Sequence, residues 1–294
     1  MQCNQSAVDY VKHFGISERE LMRFQILVTV VLSLASLAYS AEPAAKPITF
    51  LAWNLESGAS APVVIAEQLA KLRGYDVYAL SEVDPSSMEK FKLACGADYQ
   101  SVDGASGKSD RLQIVFNNKR FELVRKAEMD RFEDHVLNNG NLRSPLMAHL
   151  RERETKQDFL VVANHLARGN EKARNEQAIG LREWARAQTL PCITIGDFNL
   201  DYDFPTGKGN QAFVEILRDN IWSWAKPIEL IDTNWYDPEP DGKDNFPDSM
   251  LDFAFVAGAA KDWKPVCEVI VRDKDFPDDK TTSDHRPIEL RLTP

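Results

Sequence analysis

Glu56, Glu82 and Asp197 each stand just beyond the end of a short apolar run, as does His165, while Asp252 opens such a run and Asp284-His285 shortly precedes another. The amides of Asn54, Asn164 and Asn199 occupy similar positions, in Trp53-Asn54-Leu55-Glu56, Asn164-His165 and Gly196-Asp197-Phe198-Asn199. Polar residues in such places mark where backbone leaves a core. If those run ends converge, one rim carries a set of carboxylates and imidazoles that repel one another unless a cation sits among them. The chemistry open to such a rim is binding of a divalent ion and movement of protons by carboxylate-backed imidazoles.

The elements that must deliver these residues follow from periodicity. Ile48–Trp53, Val77–Leu80, Phe159–Ala163, Cys192–Ile195 and Phe253–Val256 are near-continuous apolar runs, the pattern of strands covered on both faces. Pro62–Arg73 carries Ile65, Leu69 and Leu72 at helical spacing and is stopped by Gly74. Pro85–Ala94 predicts a second helix, opened by Ser86 and Ser87 and closed by Gly96. A long helix is expected over Glu171–Gln188, with Ala178, Leu181, Trp184 and Ala185 inward and Arg174, Arg182 and Arg186 on a solvated charged face. Gln211–Asn220 predicts a shorter one.

Strand-like segments Leu112–Phe116, Phe121–Met129 and Ser144–Arg151 are divided by Asn117-Asn118 and Asn138-Asn139-Gly140, which suit antiparallel turns. Leu251–Val256, Val266–Val271 and Ile288–Leu292 complete the strands, and the acidic, proline-bearing run Asp237–Asp248 reads as a surface loop. Mixed strands with interspersed helices and no internal repeat point to an α/β fold in which sheets pack together under helices.

Arg23, the apolar stretch Phe24–Leu37 and the small-residue ending Ala38-Tyr39-Ser40 have the layout of a secretory signal peptide, with Met22 as its natural first residue. Residues 1–40 are thus expected to be an N-terminal extension and leader, residues 41–294 a catalytic domain, and the mature protein to be secreted or periplasmic without a membrane span, an uncleaved anchor being the alternative. Residues 1–40 contain three basic and three acidic residues, so the remainder keeps the net charge of −10. That acidity argues against a general electrostatic grip on nucleic acid or anionic lipid, and a local basic patch around a metal site would have to serve such a role. Beyond the leader, Cys95, Cys192 and Cys267 are an odd set without zinc-ligand spacing; Cys192 reads as a small buried hydrophobe, and a Cys95–Cys267 bridge is open.

Trp53-Asn54-Leu55-Glu56, Ser81-Glu82-Val83, Asn164-His165-Leu166, Gly196-Asp197-Phe198-Asn199, Leu251-Asp252-Phe253 and Ser283-Asp284-His285-Arg286-Pro287 together resemble, in this order, the endonuclease/exonuclease/phosphatase superfamily. The resemblance runs from Ile48 to Leu292. It implies a four-layer α/β sandwich, with two packed mixed β-sheets flanked by helices, and hydrolysis of phosphoesters with a divalent cation. By the same pattern Glu82 is the first metal ligand, with Asn54, Glu56 and Asp284 completing or supporting the site. The oxygen-rich set favours Mg²⁺, with Mn²⁺ as the alternative, over Zn²⁺.

The resemblance also pairs His285 with Asp252 and gives Asp197 and Asn199 the orientation of water and phosphoryl oxygens. His165, Arg143 and Asn164 would supply further groups to the phosphate. Ser81 stands where many members have glutamine, and the carboxylate that deoxyribonucleases place behind the equivalent of His165 has no identifiable counterpart in the sequence.

Taken singly, each of these residues has a commonplace structural use: an aspartate caps a turn, an arginine joins a salt bridge. The ordered set points instead to a phosphodiesterase acting on nucleic acid, for which Arg143, Arg168, Lys172 and Arg174 would flank the strand; a monomer is expected. Sphingomyelinase-like or inositol-phosphatase-like hydrolysis, and a non-catalytic secreted binding protein on the same fold, are the alternatives. The lipid reading needs an exposed apolar hairpin, and its single candidate, Ile221-Trp222-Ser223-Trp224, reads as core.

Overall fold

The run after Pro47 forms β1 (Ile48–Asn54), which lies parallel to β2 (Val77–Val83) and antiparallel to β14 (Ile288–Leu292). The computed structural model describes residues 46–56, 60–234, 249–273, 275 and 281–294. The expected leader and the acidic run Asp237–Asp248 lie outside the described residues. Among the described residues no helix is long and apolar enough to cross a membrane.

The first sheet has six strands in the order β13 (Val266–Val269), β14, β1, β2, β4 (Arg111–Asn117) and β3 (Tyr99–Asp103). The second also has six: β11 (Trp222–Trp224), β12 (Met250–Ala257), β10 (Cys192–Tyr202), β9 (Asp158–His165), β8 (Leu146–Glu152) and β5 (Phe121–Glu128). Each contains one parallel pair, β1 with β2 and β9 with β10, among antiparallel neighbours. The expected mixed sheets are therefore present.

Side chains alternate across each strand, so the central strands of each sheet feed two cores. Phe50, Ala52, Val161, Ala163, Ile193, Ile195, Ala254 and Val256 face the space between the sheets. Leu51, Trp53, Tyr78 and Leu80 meet α1 (Pro62–Lys71) and α2 (Met88–Cys95) through Ile65, Leu69 and Phe91. Leu160, Val162, Cys192 and Phe255 meet α3 (Glu171–Arg186) and α4 (Gln211–Leu217) through Leu181, Trp184 and Ile216. Burial on both faces is why these strands read as unbroken apolar runs.

Several expectations are corrected in detail. β3 and the short hairpin β6 (Arg131–Phe132) and β7 (His135–Val136) lacked a legible pattern. The shorter helix ends at Leu217 and continues as a 3₁₀ turn, Arg218–Asn220, with Asp219 at φ 60°. The strand expected to end at Ile195 runs on to Tyr202.

Arg174 and Arg182 are buried, not solvated. Arg174 Nη1 donates to the carbonyls of Ala167 (2.9 Å) and Arg168 (2.7 Å), and Arg182 Nη1 to the Glu215 carbonyl (2.8 Å) and carboxylate (3.0 Å). A cation whose donors are all turned inward looks, in sequence, the same as one turned to water. Cys95, Cys192 and Cys267 are buried and free, so no bridge links Cys95 to Cys267. Trp222 is fully buried and donates to the Leu181 carbonyl, so the Trp222 indole packs in the core as expected.

Candidate active site

The rows of side chains that fill the space between the sheets end in polar residues. On β1 the inner row Phe50, Ala52 continues to Asn54; on β9, Val161, Ala163 continues to His165; on β10, Ile193, Ile195 continues to Asp197. On β12 the inner row runs Val256, Ala254 and then Asp252. β10 aligns Asp197 with His165 on one side and with Asp252 on the other. Period-two alternation and register thus bring residues far apart in sequence to one end of the sandwich.

Glu82 arrives differently. Alternation would send it to the helix side with Tyr78 and Leu80. A register shift between Leu80 and Val83, with Glu82 at φ 53°, turns its carboxylate to the rim instead. Glu56 (φ 41°) and Asn199 (φ 52°) also hold left-handed backbone, so uncommon conformations collect here. Gly196, at φ 137°, permits the close strand pairing: a Cβ there would lie 2.4 Å from the Asn164 carbonyl oxygen.

Asn54 is the junction of the site. Its Nδ2 donates to Glu82 Oε1 (2.9 Å) and Asp197 Oδ2 (3.0 Å), and lies 3.5 Å from His285 Nε2, while its Oδ1 accepts from the Glu56 amide (3.0 Å). Asp197 Oδ1 accepts from the Asn199 amide at 2.9 Å. Asn199 in turn donates to the Leu166 carbonyl (3.0 Å) and accepts from Arg168 Nη1 (3.2 Å).

His285 Nδ1 lies 2.7 Å from Asp252 Oδ2, and Asp252 is wholly buried. The His285 ring is held from behind as well: its carbonyl accepts from Trp53 Nε1 (2.8 Å) and its amide donates to Ser283 Oγ (2.9 Å). Burial alone would lower the imidazole's proton affinity, but Asp252, with Asp197 and Asp284, outweighs it and raises the pKa to about 10. Asp252 itself is raised, burial prevailing over its imidazole partner.

The carboxylate that faces His165 Nδ1 is Asp110, one residue before β4. Its Oδ1 stands 3.4 Å from His165 Nδ1, and its Oδ2 pairs with Arg143 Nη1 at 3.0 Å. Burial pushes the Asp110 carboxyl up, yet His165 and Arg143 together hold it below its ordinary value. His165 Nε2 faces Asp197 Oδ2 (3.4 Å) and Glu82 Oε1 (3.8 Å). The order Asp110-Arg111 before an apolar run repeats the grammar of the other rim acids, which is the one signal that could have singled it out.

Glu82, His165, Asp197, Asn199, Asp284 and His285 line one cavity of about 440 Å³, together with Arg168, Asn234 and Leu251. Asn234 was not singled out in the sequence. Arg143 does not line the cavity; it pairs with Asp110, which faces His165 from behind. Asn164 belongs to the other row of β9: its Nδ2 donates to Thr194 Oγ1 (2.5 Å) and the Val162 carbonyl (3.3 Å), on the helix side of the sheet. Placing Asn164 at the substrate therefore does not survive strand alternation.

The donor set fits a hard divalent cation. Asp284 Oδ1 is buried without a hydrogen-bond partner, and burial followed by the neighbouring acids raises the Asp284 pKa. Glu56 Oε2 accepts from the Asp284 amide at 3.3 Å, and its pKa is raised to about 7, first by burial and then by Asp284. Carboxylates held this close gain from a shared positive charge, and oxygen donors suit Mg²⁺ or Mn²⁺. Glu82, Asp110 and His165 also offer ligand atoms that lie within 4.8 Å of one another.

The sequence model described as "Endonuclease/Exonuclease/phosphatase family" matches residues 51–285. No curated protein sequence matches. Among solved structures, an endonuclease/exonuclease/phosphatase family protein from Bacteroides thetaiotaomicron is 20% identical, with 84% of this chain and 96% of that one covered and a TM-score of 0.61. The mannosyl-6-phosphatase of the same organism is 19% identical, with 83% and 99% covered and a TM-score of 0.60. D. rerio TDP2, in complex with a single-stranded DNA product, is 15% identical, with 85% and 100% covered and a TM-score of 0.64.

Proposed function

The chain belongs to the endonuclease/exonuclease/phosphatase family, whose members are metal-dependent phosphoric ester hydrolases, and from that premise we propose that it hydrolyses nucleic-acid phosphodiester bonds outside the cytoplasm. The observation that carries this reading is the convergence of two carboxylate-backed imidazoles, His285 on Asp252 and His165 on Asp110, on Asp197 from separate chain segments.

Glu82 and Asp284, supported by Glu56 and Asn54, would hold Mg²⁺ or Mn²⁺, whose charge offsets that of the phosphoryl oxygens. Asp197, oriented by the Asn199 amide and the Asn54 side chain, accepts a proton from the attacking water as its oxygen forms the new bond to phosphorus. His285, protonated across the neutral range, donates to a phosphoryl oxygen on which charge accumulates. The P–O bond breaks as the leaving oxygen takes a proton from His165, whose other ring nitrogen Asp110 faces. Asn199 and Arg168 contribute donors along the wall of the cavity.

The likeness to D. rerio TDP2, seen with a DNA product, supports the nucleic-acid substrate. A phosphomonoesterase on a small sugar phosphate is the second reading, favoured by the net charge of −10 and by the likeness to a mannosyl-6-phosphatase. Purified protein, stripped with a chelator and reloaded with Mg²⁺ or Mn²⁺, should cleave plasmid DNA, and His285→Ala should not. Hydrolysis confined to phosphomonoesters would transfer the assignment to the second reading.

A further inference from the structure

A second cavity, which the reaction as described leaves unused, is lined by Asn170, two residues along the chain from Arg168 of the catalytic cavity. It encloses about 340 Å³, within the ~300–1,000 Å³ typical of ligand sites. Its apolar surface comes from Val136, Leu142 and Ala173, and its polar groups are Asn139, Asn170, Lys172 and Glu176. Each of two chain segments lines this groove and also contacts the catalytic rim. Leu142 precedes Arg143, which pairs with Asp110 behind His165. Asn170 follows two residues after Arg168, itself a wall of the catalytic cavity, a separation of at most about 7 Å along the chain.

Both segments are fixed. Buried Arg174 ties down the carbonyls of Ala167 and Arg168, and Gln177 Oε1 accepts from the Ala167 amide (2.9 Å) while its Nε2 donates to the Leu137 carbonyl (2.8 Å). The turn at 138–142 is closed by Asn138 Oδ1, which accepts from the amides of Gly140 (2.8 Å) and Leu142 (3.0 Å).

Resting on the phosphodiesterase reading, we propose that this groove is a subsite for the nucleoside next to the scissile phosphate. An apolar patch edged by amides matches the face and edge of a nucleobase: Leu142, Val136 and Ala173 take the ring, and the Asn139 and Asn170 side-chain NH₂ groups serve its carbonyls or ring nitrogens. Both amide oxygens are already engaged, Asn139 Oδ1 by the Asn141 amide (3.1 Å) and Asn170 Oδ1 by the Ala173 amide (3.0 Å), so each side chain presents donors. Glu176 is occupied by His135 at 3.0 Å, whereas Lys172 makes no ion pair among the described residues. In a chain with net charge −10, an unpaired lysine at such a groove suits the next phosphate of a strand.

The test uses methyl 4-nitrophenyl phosphate and the 3′ and 5′ thymidine 4-nitrophenyl phosphates, which lose the same leaving group and differ in the group retained. The quantity read is the ratio of kcat/KM, thymidine ester over methyl ester, on one metal-loaded preparation, so a partly unfolded variant does not distort it. Wild type should favour one thymidine isomer. Ala173→Trp, which fills the groove, should lower that ratio at least ten-fold, and Asn139→Ala should lower it several-fold. A ratio the same in wild type and both variants overturns the subsite while leaving the phosphodiesterase assignment standing. A wild type that cleaves none of the three esters overturns both.

Discussion

Replacing Asp252 by asparagine tests the core of the proposed reaction. Asp252 is fully buried, its Oδ2 lies 2.7 Å from His285 Nδ1, and its backbone amide donates to Thr233 Oγ1 at 3.0 Å. Asparagine fills the same volume and keeps the backbone bond, so the change falls on charge. The rise of His285 from 6.5 to about 10 corresponds to roughly 5 kcal/mol in favour of the imidazolium. Asp252 is the largest favourable contribution to it. Without that charge only Asp197 and Asp284 oppose the effect of burial, so the ring holds its proton less firmly. Loss of a positioned acid costs about 10²–10⁴-fold in rate, and 5 kcal/mol places this case toward the upper end. Asp252→Asn should therefore lower kcat/KM on plasmid or dinucleotide substrates about 10³–10⁴-fold at pH 7, with partial recovery as pH falls and the ring regains its proton. His285→Ala and the double variant should be equally impaired, because the pair acts as a unit. Urea denaturation separates this loss from instability. Activity within ten-fold of wild type, or additive losses in the double variant, refutes the assignment of His285 as the charged donor.

Asp110→Asn should reduce kcat/KM about ten- to hundred-fold, the usual effect of removing a carboxylate that orients a site histidine. The same change made at Asp98, a surface partner of Lys119, should leave the rate within two-fold. Divalent ion should raise the melting temperature of chelator-stripped protein by about 5–10 °C at a hundred-fold excess over Kd, and Glu82→Gln should shrink that shift in a thermal melt. Without the ion, Glu56, raised to about 7, binds a proton in the folded state that the unfolded chain has already released, so stability falls as pH rises from about 4.5 to 7. His285, also raised, continues the decline from 6.5 toward 10. Melting temperatures across that range should drop in stripped protein and stay flatter once metal is added. N-terminal sequencing of the exported protein should find a mature start just after residue 40, and an intact residue 22 or earlier would remove the secretion proposal.

The alternation of apolar residues is a local property, and it made most of this protein legible. β1, β9, β10 and β12 are each announced by an apolar run, and the polar residue that ends each inner row, Asn54, His165, Asp197 or Asp252, lies at the active rim. The same rule, applied row by row, would have sent Asn164 to the helix side, where its amide is found. Chain order of the motifs gave the family.

What the sequence by itself determined was thus the inward end of each strand and the kinds of group collected there, because both depend on neighbours two residues apart. Tertiary structure alone decided the rest. Glu82 reaches the rim through a bulge defined against β4, Asp110 becomes the partner of His165 only when β4 and β9 belong to facing sheets, and Arg174 and Arg182 are drawn inside by carbonyls and a carboxylate contributed from other elements. Each of these is fixed by a long-range pairing, and no local periodicity records which distant oxygen a charged side chain will meet.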